Sequence, residues 1–124
     1  MTERPVLEPS PEHPITVEPT GGRVIVRING QQIAATSNAL TLSESTYPAV
    51  QYIPMQDVDE SLLQKSNTTT YCPYKGHAEY FSVVTETEIV DDVIWTYSTP
   101  HPAVAQIGQH VAFYAGRAEV TVSP

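Results

Sequence analysis

Apolar and polar residues alternate with a period of two through much of this chain, and the alternation is repeatedly cut by turn residues. In RVIVRINGQQIAAT (23–36), Val24, Val26 and Ile28 fall on one side of an extended strand while Arg23 and Arg27 fall on the other. That is the pattern of a half-buried antiparallel strand. Asn29-Gly30 follows at once, the dipeptide best suited to the positive φ angles of a two-residue hairpin turn. Further short strands are predicted at residues 39–44, 49–53, 68–71, 77–84, 87–90, 93–97, 110–114 and 118–122. Tyr47-Pro48, Pro54, Asp91-Asp92 and Gly116 supply the breaks between them.

Two segments depart from this period. In MQDVDESLLQKS, Asp57 or Asp59 is suited to cap a short helix with Glu60 in its first turn and Lys65 in its last. A second short helix is expected from Pro102, a residue favoured in the first helical turn, to a stop at Gly108. Residues 1–22 contain Pro5, Pro9, Pro11, Pro14 and Pro19 and end in Gly21-Gly22, so they predict an extended arm. Ile15-Thr16-Val17 within it is strand-like, which leaves open an edge pairing on this core or on a neighbouring subunit, including a homodimer formed through the arm. The expected division is therefore an arm over 1–22 and one β-rich domain over 23–124. The fold class is mostly β, a compact antiparallel fold with two short helices.

Charge narrows the function classes. The chain of 124 residues has a formal charge of −8, from 14 acidic residues against 6 Lys plus Arg. Its arginines, Arg4, Arg23, Arg27 and Arg117, are scattered. Nucleic-acid and anionic-membrane partners need clustered cations, so neither is expected. No apolar run approaches the roughly 20 residues of a membrane span, and MTERPVLEPSPEHP lacks the basic and apolar regions of a signal peptide, so a soluble cytoplasmic protein is expected. A single cysteine can make neither an internal disulfide nor a CxxC metal site. His13, His77, His101 and His110 show no metal-binding spacing. No metal and no cofactor are expected.

The stretch TTTYCPYKGHAEYFSV (68–83) gathers scarce residues. Cys72, the lone thiol, precedes Lys75, one of two lysines, within a predicted turn. A neighbouring cation can favour a thiolate, yet a cysteine beside a turn is also an ordinary small apolar side chain. Lys75 reads either as a solvated turn residue or as a cation offered to an anionic or carbonyl-bearing ligand. Seven tyrosines and one tryptophan suit a pocket wall as well as a sheet face. Trp95 and Tyr97, two residues apart, share a side of their strand.

The order of YPAVQYIP (47–54), TTYCPYKGHAEYFS (69–82), VIWTYSTPHPAVAQI (93–107) and HVAFY (110–114) resembles the family of small bacterial and fungal domains of unknown function called DUF427. The resemblance runs from about Arg23 to Val122. It implies a β fold of the β-tent (Mss4-like) type. The zinc-binding relatives of that type carry paired CxxC motifs, and this chain has neither pair, so no zinc site is implied. The family's pattern places Cys, Lys-Gly and aromatics where this chain has Cys72, Lys75-Gly76, Tyr52, Tyr80, Trp95 and Tyr97. His77 departs from it. The family sometimes carries a nucleotidyltransferase label, but no carboxylate pair has the spacing that metal-assisted transfer needs.

The function expected is a small-molecule-binding β domain with ligand-binding residues Tyr52, Cys72, Lys75, Trp95 and Tyr97. Two other classes stay open: an enzyme with Cys72 or Lys75 as nucleophile, and an interaction protein acting through the arm.

Overall fold

The computed structural model describes residues 5–124. Residues 1–4, with Arg4 and the start of the predicted arm, lie outside it. Among the described residues there are ten strands: β1 Ile15–Pro19, β2 Arg23–Ile28, β3 Gln31–Thr36, β4 Leu40–Glu44, β5 Val50–Pro54, β6 Leu63–Cys72, β7 Gly76–Val84, β8 Ile89–Thr96, β9 His110–Phe113 and β10 Glu119–Ser123. All neighbours are antiparallel.

The β2–β3 hairpin turns at Asn29 (φ 52°) and Gly30 (φ 80°), as the sequence requires. Val24, Val26 and Ile28 are buried on one side of β2. With β10 on its other edge, β2 is the centre of a three-stranded sheet in the order β10-β2-β3. The remaining strands form a seven-stranded sheet in the order β1-β4-β5-β9-β8-β7-β6.

Alternation makes the larger sheet two-sided. Ile53, Ile94 and Val111 join Val24, Val26 and Ile33 in an aliphatic cluster that holds the two sheets together. Their strand neighbours Tyr52, Trp95 and Ala112 belong to a second cluster on the opposite face, with Leu42, Tyr80 and Tyr97. Val104 and Ile107 cover that face.

Neither expected helix forms as an α-helix. Residues 55–62 make two separate 3₁₀ turns, Met55–Asp57 and Glu60–Leu62, and β6 begins at Leu63. The edge of β3 overrides local propensity: Val58 is extended and bridges Ala34, and the Asp59 amide donates to the Ile33 carbonyl at 2.9 Å. Asp57 accepts from the buried Thr36 hydroxyl at 2.7 Å, while Asp59 caps the second turn through the Ser61 amide. The segment Pro102–Ile107 is also 3₁₀, kinked at Val104. Val104 and Ile107 are both fully buried.

The polar break at Asp91-Asp92 is a bulge within one strand rather than a gap between two. Phe81 pairs with Ile94 and Val83 with Val90, while Asp92, at φ 50°, donates its amide to the Ser82 hydroxyl. The arm docks on its own chain. Its strand β1 pairs with β4, the Leu7 amide donates to the Pro73 carbonyl, and the Tyr71 hydroxyl donates to the Pro5 carbonyl. Among the described residues no helix is long and apolar enough to cross a membrane.

Candidate functional site

Strand register delivers the aromatic residues to one place. Tyr80 pairs with Trp95 across β7 and β8, and Trp95 pairs with Ala112 of β9, whose small side chain leaves room beside it. Tyr52 reaches the same face from β5, where it pairs with Leu40 of β4. The result is a hollow of about 240 Å³ walled by Tyr52, Tyr80, Trp95 and Tyr97. Leu42 and Val50 line it from β4 and β5. Tyr47 and Tyr114, both exposed, form its rim.

Lys75 enters from the β6–β7 turn, and the local backbone fixes it there. The Lys75 amide donates to the Cys72 carbonyl, and the Lys75 carbonyl accepts from the His101 amide at 2.9 Å. Gly76, at φ 118°, lies so close to Thr99 and His101 that a Cβ would stand 3.3 Å from the Thr99 carbonyl oxygen. Only glycine takes this bend without strain.

The Lys75 ammonium is bonded to Glu44 Oε1 at 2.5 Å, and the two side chains are each 13% exposed. Glu44 Oε2 accepts from His13 Nε2 at 2.7 Å. His13 stacks on Tyr74 with ring centres 4.1 Å apart and planes within 10° of parallel. Burial works to raise the Glu44 carboxyl, but hydrogen bonds and charge from Lys75 and His13 outweigh it and hold the group below the ordinary carboxylate range. Glu44 is thus an anion shared by two nitrogen donors.

The hydroxyls behave as donors. Burial pushes Tyr52 and Tyr97 far above the ordinary phenol range. Tyr114, through burial and its hydrogen bond with Tyr80, is pushed up to about 12. The Tyr52 oxygen accepts the Trp95 indole N–H at 3.2 Å, which leaves the Tyr52 proton to give elsewhere. Rings of Tyr52 and Trp95 stand edge to face, and the Trp95 and Tyr114 ring centres are 4.5 Å apart.

Four of the five residues singled out from sequence, Tyr52, Lys75, Trp95 and Tyr97, line this one hollow. Cys72 does not. It sits half-buried opposite Gly76 at the end of β6 and packs against the tyrosine-bearing cluster. Tyr114 stood among the seven tyrosines suited to a pocket wall, whereas Glu44 and His13 were not legible as residues of this hollow or its surroundings. Glu44 and His13 are 31 positions apart, and only the β1–β4 pairing brings them together. A larger hollow of about 650 Å³ lies between Met55, Glu60 and His110, but it has neither the aromatic walls nor a cation–carboxylate pair. Among the described residues no group of three or more His, Cys, Asp or Glu side chains is placed to hold a metal ion.

These features define a two-sheet antiparallel β protein with a tyrosine-lined hollow and a lysine–glutamate pair in its wall. The chain belongs to the family described as a domain of unknown function, DUF427, whose model matches residues 16–124. The match begins inside β1, so it takes in most of the strand that pairs with β4. No curated protein matches the chain significantly.

Proposed function

We propose that this protein binds a small organic molecule in the tyrosine-lined hollow, with the ring of the ligand against Trp95 and a carbonyl or carboxylate group near Lys75. The observation that carries this reading is convergence: an ammonium, a carboxylate, phenolic donors and an indole face meet around one hollow of about 240 Å³. Binding sites are typically apolar and aromatic with a few placed polar groups, and drug-sized ligands occupy roughly 300–1,000 Å³. A smaller hollow favours a single-ring molecule over a nucleotide.

The chemistry speaks for binding rather than nucleophilic attack. A nucleophilic lysine needs a free amine nitrogen, and Lys75 Nζ is already engaged by Glu44 Oε1. Cys72, the other candidate nucleophile, stands outside the lining. The arm, meanwhile, engages its own core through β1.

The test is a thermal-shift screen of single-ring carboxylates, single-ring aldehydes and nucleotides, read alongside emission from Trp95, the chain's one tryptophan. A ligand at a hundred times its Kd stabilises the native state by about 2.7 kcal/mol. A single-ring compound is expected to raise the Tm and change Trp95 emission, and Lys75→Met is expected to remove both responses. A response that survives both Lys75→Met and Trp95→Phe would move the ligand out of this hollow, and no response from any compound would end the reading.

A further inference from the structure

Most polar groups around the hollow find partners within the protein. Glu44 engages both of its oxygens, Oε1 with Lys75 and Oε2 with His13. The Tyr80 hydroxyl meets the Thr70 hydroxyl at 3.0 Å and is hydrogen-bonded to Tyr114 as well. Tyr97 differs. It is 6% exposed, and among the described residues no group hydrogen-bonds its hydroxyl. Among those residues no side-chain nitrogen or oxygen that is wholly shut away lacks a partner. The Tyr97 hydroxyl therefore opens onto free space, and the space that Tyr97 lines is the hollow.

Strand and packing fix the position of Tyr97. It follows Thr96, the last residue of β8, so alternation sets it on the Trp95 side, and its ring lies in the cluster that contains Val104 and Ile107. Tyr52, 1% exposed, shares the shortage: its oxygen takes the Trp95 indole N–H, but no described group accepts its own proton. Lys75 offers donors only, and has hydrogens beyond the one given to Glu44. Burial above all, then the nearby Tyr52, holds Tyr97 far above the ordinary phenol range, so it too keeps its proton. Donors without acceptors thus gather in one hollow whose carboxylate is already taken. An unmatched buried donor costs folding free energy, which phenylalanine at the same position would avoid.

We propose that Tyr52 and Tyr97 form an oxygen-binding subsite: the hollow takes a single-ring molecule that presents an acceptor-only oxygen, a carboxylate or a ketone, to these two hydroxyls, and rejects the same ring bearing only donors. The inference rests on the reading of the hollow as a ligand site and names the group its ligand must carry. Lys75 adds charge recognition for a carboxylate, whereas the phenols serve a charged and a neutral oxygen alike. Entry is past Tyr47 and Tyr114, the exposed rim residues.

Three probes of similar shape test this by calorimetric titration: benzoate and acetophenone, which only accept hydrogen bonds, and benzamidinium, which only donates them. The parent protein is expected to bind both acceptors, and to bind benzamidinium more weakly than benzoate by about tenfold or more. Tyr97→Phe is expected to weaken benzoate about tenfold and acetophenone about threefold, and Tyr52→Phe to do the same. Lys75→Met is expected to weaken benzoate far more than acetophenone. Folding supplies a second readout with no ligand present. Tyr97→Phe removes a hydroxyl that no described group uses, so its Tm is expected to match or exceed that of the parent, while Tyr52→Phe lowers it. Three results would each overturn the phenol subsite and leave the hollow as a ligand site: affinities unchanged in Tyr97→Phe while Lys75→Met loses benzoate, benzamidinium bound as tightly as benzoate, or a Tm lowered in Tyr97→Phe. Binding of neither acceptor would overturn the subsite together with the reading of the hollow on which it rests.

Discussion

Both faces of the seven-stranded sheet bury side chains, but of different chemistry. Toward the three-stranded sheet lie Val24, Val26, Ile33, Ile53, Ile94 and Val111, side chains with no polar atom to satisfy. Toward the 3₁₀ segment Pro102–Ile107 lie Tyr52, Tyr80 and Tyr97, whose hydroxyls each need a partner. A core intended only for stability gains little from three phenols where aliphatic side chains would serve. The aliphatic face holds the sheets together, and the phenolic face keeps donors beside an open hollow. Adjacent residues of one strand, such as Tyr52 and Ile53, serve these two ends.

The contrast can be broken most forcefully on the aliphatic side. Ile94→Ala removes a fully buried side chain and is expected to cost about 2–5 kcal/mol in urea unfolding. Trp95 would keep its native emission below the transition. On the phenolic side, Tyr52→Phe leaves the Trp95 indole N–H without its acceptor, for a loss of about 1 kcal/mol, and is expected to shift Trp95 emission in the folded state. Equal emission changes in the two variants would erase the distinction between the faces.

The smallest effect sharpens the comparison through pH. Glu44 is held below the ordinary carboxylate range in the folded state, so its contribution to stability is present above that range and is lost as pH falls through the lowered folded value. Glu44→Gln is expected to flatten this acid limb of the stability curve. An acid limb of unchanged steepness in the variant would show that Glu44 adds nothing to it.

Much of the first face was legible in the chain. The alternation of Val24, Val26 and Ile28 and the turn at Asn29-Gly30 are local signals, and both appear as read. The expected helix over residues 57–65 failed because β3 offered Val58 and Asp59 backbone partners that no local propensity reveals. The same limit applies to the hollow. Tyr52, Trp95 and Tyr97 announce themselves by residue type, and Lys75 by scarcity. Glu44 and His13 do not, because each is an ordinary polar residue until β1 lies against β4. Long-range pairing created the most polar part of the site.

One rim of the large sheet is β6, ten residues long and bonded to a neighbour on one side only. Such a strand invites another to extend the sheet without limit. Here its regular pairing breaks between Lys65 and Thr69, and the intervening Ser66 and Thr68 turn their hydroxyls to local partners, the Thr68 amide and the Asp92 carboxylate. The opposite rim, β1, is five residues long and runs from just after Pro14 to Pro19. Both margins are therefore poor templates for growth into a fibril. The protein can leave a long, threonine-rich border open to water and still resist stacking edge to edge with its own kind.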